Sequence, residues 1–207
     1  MVPQSLQNLV TALINAVQAH PQHALLPFQR HMIYDYFGKV AVVSSRRRRG
    51  WLAIITAERV LPLWQQARPQ DNQAEQLLVH ARLALRNEDD LQFATTLAGD
   101  VWNWFMNDYG DRRRFKEIQR TAEAFYVLAA AVQALLVAAG KDNSEGCVDQ
   151  EDDTDADVDA WSTDAAGWAI AAFAGPVWEQ DSDNAKRLEF WRWWLTTAVP
   201  TAWEAAT

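Results

Sequence analysis

The sequence predicts an all-α fold: a single-domain bundle of seven to eight helices with one long acidic loop. Three observations lead to it. Ala is abundant and β-branched residues are few, which favours helix over strand. Apolar residues recur at three- and four-residue intervals along most of the chain. The connections between these stretches are short, with one exception, which is the pattern of a helical bundle.

The elements follow in order. Residues 4–19 carry a helical stripe of Leu6, Leu9, Val10, Leu13, Ile14 and Val17, broken by "HPQH" at Pro21. A second helix is expected over 25–43, with Pro27 early in it and an interruption near Gly38. "VAVVSS" has the composition of a short strand, but its helical surroundings argue against one. A third helix is expected from an N-cap at Ser45 through "RRRRGWLAIITAERVLPLWQQ", with Ala53, Ala57, Val60 and Trp64 along one side. Pro62 inside this stretch predicts a kink or a second start. Asp71 or Asn72 caps a helix over 73–86, with Leu77, Leu78, Ala81 and Leu85 on its apolar face.

A helix over 89–106 ends in "VWNWFM", and "NDYGD" reads as a turn. The longest helix is expected over 113–139, closed by Gly140. Ser162 or Thr163 is the expected N-cap of a helix beginning at Asp164 and stopped by "AGP". Asp183 caps the last long helix, which Pro200 ends. In this division residues 1–29 are an N-terminal helical extension, free to pack on a main domain of 30–207.

The chain has 207 residues, enough for one domain with a sizeable core. Its net charge of −8 is unevenly spread. Residues 142–164 hold ten acids and no Lys or Arg, so 17 of the 27 acids remain elsewhere against 19 basic residues, a balance of +2. The single Cys147 rules out an internal disulfide. It lies among acids, which raise a thiol's pKa and make it a poor nucleophile. The N-terminus reads as an amphipathic helix with no signal-peptide pattern, and the longest apolar run, 124–140, is too short and Ala-rich for a membrane span. The expectation is a soluble cytoplasmic protein.

The acidic stretch "DQEDDTDADVDAWSTD" invites a metal reading. Asp153, Asp155, Asp157, Asp159 and Asp164 fall at the odd and final positions of an EF-hand loop. Val158, however, stands where the sharp turn needs Gly, and Asp stands where the longer Glu chelates. An Asp-rich isoprenoid-synthase motif fails too, with Ala156 in place of its third aspartate. No metal site and no cofactor is expected.

His20, His23, His31 and His80 converge in no ligating spacing, and no phosphate loop or nucleophile elbow is present. The basic runs "RRRR" (46–49) and "DRRRFK" (111–116) read first as solvated helix starts, next as partners of the acidic loop, and last as nucleic-acid contacts. Among the eleven Trp residues, Trp191 and Trp194 share a helix face with Arg187 one turn earlier, while Trp193 points elsewhere. That pattern reads as core packing with cation–π contacts in preference to a ligand cage.

Two stretches carry a family resemblance. "RRRGWLAIITAERVLPLWQQARPQDNQAEQLLVHARLAL" and "DAWSTDAAGWAIAAFAGPVWEQDSDNAKRLEFWRWWLTTAVPTAW" resemble the two halves of an all-α immunity-protein family of bacterial polymorphic toxin systems, the fifth of the numbered immunity families. The resemblance covers about 30–204. The acidic stretch 141–160 looks like an insertion relative to it. The resemblance implies a non-enzymatic protein that binds and inhibits a co-encoded toxin, and it hands over no binding residues. The acidity reads either as a surface for a basic toxin, such as a nuclease, with Asp152, Asp153, Asp155, Asp157 and Asp159 as candidate contacts, or as a solvated insertion with no partner. Neither nucleic acid nor membrane is an expected partner. The alternatives are a helical small-molecule binder or enzyme with a Trp-lined pocket between the last two helices, and a structural subunit with an exposed Trp-rich patch.

Overall fold

A computed structural model describes residues 1–86, 91–110, 122–141, 164–177 and 182–206. The described residues form helices and the turns that join them, with no strand among them. The expected all-α fold is therefore found, and "VAVVSS" is helix and turn.

Helix α1 (Gln4–Ala19) buries Leu6, Val10, Leu13 and Val17, the stripe its spacing predicts. It packs on the last helices of the chain, so the two ends of the sequence meet. Helix α2 (Pro27–Phe37) starts with Pro at its first position, where the missing N–H costs nothing. The Gln29 side chain accepts from the Leu26 N–H and closes that end. The helix stops six residues before the expected 43, because Gly38 takes φ 94°. A Cβ at Gly38 would lie 2.6 Å from the Ser45 Oγ.

Helix α3 (Val43–Ala67) corrects two expectations. It begins at Val43, with no side-chain cap, and Ser45 is buried within its first turn. It also runs past Pro62 as one helix, with no second start there. Pro62 is exposed, and the carbonyl it leaves without a donor belongs to half-exposed Glu58, on the solvated side.

Helix α4 (Gln73–Arg86) is tied back to α3 at its start. The Asp71 Oδ1 accepts from the Gln73 N–H at 2.9 Å, and the Trp64 indole donates to the Asp71 carbonyl at 2.6 Å. Gly50 lets α3 and α4 approach: a Cβ there would sit 2.6 Å from the Leu85 Cδ2. Helix α5 (Leu91–Gly110) continues through the stretch that reads as a turn. Asn, Asp and Gly are weak helix formers but not breakers, and no proline intervenes.

Helix α6 (Ala122–Ala138) is apolar around its circumference and lies at the centre, packed by α3, α4, α5 and α7 (Ala165–Ala174). Its Ala residues let those neighbours come close. It closes as expected at Gly140, φ 80°, with the Gly140 N–H on the Val137 carbonyl and the Lys141 N–H on the Leu136 carbonyl. Residues 113–121 of the expected helix lie outside the described residues.

Helix α8 (Asn184–Trp193) is capped by Asp183, whose carboxylate accepts from the Ala185 and Lys186 N–H groups. Pro200 does not end the helix. A π-helical turn, Trp194–Ala198, leads into α9 (Val199–Ala205), with Pro200 in its first turn. The π turn moves the Val199 N–H to the Trp194 carbonyl, five residues back. The ladder is thereby reset just where a proline cannot donate.

Candidate partner-binding surface

The five candidate contacts, Asp152, Asp153, Asp155, Asp157 and Asp159, lie outside the described residues, within 142–163. What the structure describes is how that segment is tethered. On one side the chain leaves after Gly140 and exposed Lys141. Gly140 sits against the basic run, since a Cβ there would lie 3.4 Å from the Arg46 Cδ.

On the other side the chain returns at Asp164, the tenth acid of the stretch. It is buried and is not available to a partner. Its Oδ1 accepts from the Gly167 N–H at 2.7 Å, so Asp164 itself caps α7, one or two residues after the expected Ser162 or Thr163. Its Oδ2 accepts from the Arg30 Nε at 2.8 Å. Arg30 is fully buried, donates from Nη1 to the Leu25 carbonyl at 2.7 Å, and lies 5.6 Å from the Trp191 ring centroid.

The two tethers are neighbours. Val137, close to the exit, and Asp164, at the return, line one narrow recess together with Tyr34, Arg49, Leu52 and Thr56. The acidic stretch therefore leaves and re-enters the fold beside the start of α3, where the basic run lies.

That run is not a solvated helix start. Arg46 and Arg49 are buried, Arg47 is exposed, and the Arg48 guanidinium stacks 3.8 Å from the Trp203 ring centroid. Arg49 donates from Nε to the Tyr34 carbonyl at 3.2 Å, lies 5.6 Å from the Tyr34 ring, and faces Asp35 at 3.8 Å. The reason is register. Counting back from Trp64 through Val60, Ala57 and Ala53 at helical intervals reaches Arg49 and Arg46, so both point inward. That extrapolation was available in the sequence. The run 111–116 lies outside the described residues.

The tryptophans are mostly structural. Trp191 and Trp194 are buried and meet edge to face at 5.8 Å, while Trp193 is half-exposed. The Trp194 indole donates to the Thr56 Oγ at 2.9 Å. Trp168 packs among Trp102, Phe125 and Tyr126. The cation over Trp191 is Arg30; fully buried Arg187 instead donates to the Gly175 carbonyl at 2.6 Å and the Ser182 Oγ at 2.9 Å. The recess has no Trp in its lining. Trp161 and Trp178 lie outside the described residues.

The histidines serve turns and packing. The His20 Nδ1 accepts from the Gln22 and Ala24 N–H groups, and His80 meets Phe93 at 5.1 Å. Among the described residues no group of three or more His, Cys, Asp or Glu is arranged to hold a metal. No described helix is long and apolar enough to cross a membrane.

One surface was not singled out from the sequence. Val79 and Leu83 on α4, with Phe93 and Trp104 on α5, are exposed. Phe93, Leu97 and Trp104 recur at helical spacing, which was the available signal.

Fold and surface together define a class: an all-α protein with a buried arginine cluster and an acidic segment tethered at both ends beside it. The family described as immunity protein Imm5 matches residues 10–201, most of the chain, and the chain belongs to that family. Its role is accordingly one of toxin immunity. No curated protein matches the chain.

Proposed function

We propose that the protein neutralises a co-encoded bacterial toxin by binding it, and that the acidic stretch is the surface that draws a basic toxin, such as a nuclease, into contact. The observation that carries this reading is the concentration of acids in one tethered segment of an immunity-family chain. Residues 142–163 hold nine acids and no base, once buried Asp164 is set aside. Such a surface raises the association rate of an oppositely charged partner and repels acidic ones. Asp152, Asp153, Asp155, Asp157 and Asp159 are the proposed contacts. The segment that carries these charges leaves the fold after Gly140 and re-enters it at Asp164, beside the start of α3.

Co-expression with the neighbouring toxin gene product tests the reading. Relief of toxicity and co-elution of a stable complex are the expected results. If toxicity persists and the two chains elute apart, the reading fails.

A further inference from the structure

The recess between α3 and the start of α7 has room for about one water molecule. Three of its lining side chains are polar and shut away from bulk solvent: Arg49 is 3% exposed, Asp164 6% and Thr56 0%. The bonds of these groups leave capacity toward the recess. The Asp164 carboxylate has sites for about four donors and receives two, from Arg30 and Gly167. The Thr56 hydroxyl gives its proton to the Leu52 carbonyl and accepts from the Trp194 indole, so one lone pair remains. The Arg49 guanidinium carries several N–H donors in a fixed fork, so it can serve the Tyr34 carbonyl and the recess together.

Charge decides the occupant. A cation in the recess would lie beside the Arg49 guanidinium, and an anion beside the Asp164 carboxylate, each at a cost in so buried a place. A neutral molecule that both donates and accepts meets both signs at once, and the space admits nothing larger than water. Asp164 takes its direct ion pair from Arg30, although Arg49 borders the same recess. We propose that the recess is a buried water site, in which one water molecule accepts from the Arg49 guanidinium and donates to the Asp164 carboxylate and the Thr56 hydroxyl. Three bonds are the usual complement of a buried water. The molecule joins α3 to the cap of α7, and so helps to hold the point where the acidic stretch returns to the fold.

The test uses the full chain. A crystal structure at a resolution that shows ordered water is expected to place one peak in the recess, within hydrogen-bond distance of Arg49 and Asp164. Water-oxygen-17 relaxation dispersion, which is blind to exchanging hydroxyl protons, is expected to show one fewer long-lived water in the double variant Arg30→Met, Asp164→Leu than in wild type. Circular dichroism checks that the variant is folded; if it is not, the wild-type density alone decides. A recess without density overturns the proposal. So does an anomalous peak there after a bromide soak, which would make it an anion site. An unchanged count of long-lived waters in the folded double variant also overturns it, because the water would then not be held by the Asp164 carboxylate.

Discussion

Arg30 and Asp164 lie 134 residues apart in the chain and 2.8 Å apart in the fold, and both are buried. One carboxylate thus does two things. It accepts from Arg30, which is anchored to the Leu25 carbonyl and stacked near Trp191, and it caps α7 through the Gly167 N–H. The pair closes the acidic stretch at its return and fixes α2 against α7.

Removing one partner leaves the other charged and buried. Asp164→Ala is expected to cost about 3–5 kcal/mol, the range for breaking a buried pair, with loss of the cap included. Asp164→Asn keeps an acceptor for Gly167 and loses less. The double variant Arg30→Met, Asp164→Leu removes both charges and recovers most of the loss of the ion pair. Urea unfolding of the four proteins checks the order. A double variant no more stable than Asp164→Ala would show that the pair does more than satisfy its own charges.

Glycine positions separate steric need from helix propensity. Gly50→Ala drives a Cβ to 2.6 Å from the Leu85 Cδ2 and is expected to destabilise by about 1–3 kcal/mol as α3 and α4 are forced apart. Gly99 lies inside α5, and a Cβ added there would meet nothing within 4 Å. Gly99→Ala is therefore expected to stabilise by up to about 1 kcal/mol. Thermal melts on the two variants should move in opposite directions.

Thr56 bridges α3 and the π turn. Its hydroxyl donates to the Leu52 carbonyl at 2.6 Å and accepts from the Trp194 indole at 2.9 Å. Thr56→Val keeps the volume but strands the buried indole N–H, at a cost of about 1–3 kcal/mol. Thr56→Ser keeps the bond and loses a methyl group. If Val proves as stable as Thr by chemical denaturation, the indole has another partner and the bridge is dispensable.

Periodicity and composition carried most of the helical layout. The α1 stripe, the Asp183 cap and the Gly140 stop are all local signals, each needing only a few neighbouring residues to be recognised. Expectations failed where distant residues decide. Ser45 has a capping side chain, but the chain enters α3 three residues earlier, with Val42 at the cap position, because Gly38 turns it there. Arg46 and Arg49 look like surface charges until Tyr34, Asp35 and Gly140 are brought against them. Pro200 stops a regular helix, but not one reset by a π turn around Trp194. The five candidate aspartates lie outside the described residues; of the acids in that stretch only Asp164 has a described position, and it is a core residue.

The acidic stretch gives the most direct functional prediction. Replacing Asp152, Asp153, Asp155, Asp157 and Asp159 together by Asn removes five charges with little change in size. If these carboxylates steer a basic toxin, association should slow by about tenfold or more at low ionic strength. The difference should shrink as salt rises, because at roughly 0.15 M the screening length is already about 8 Å. Dissociation should change little, since steering acts on the approach and not on the packed contact. Stability should hold or rise slightly, because the lost charges repel one another and buried Asp164 is untouched. Stopped-flow association at several salt concentrations separates these effects. An association rate equal to wild type at low salt would remove these five aspartates from recognition, and the binding surface would then have to lie elsewhere on the bundle.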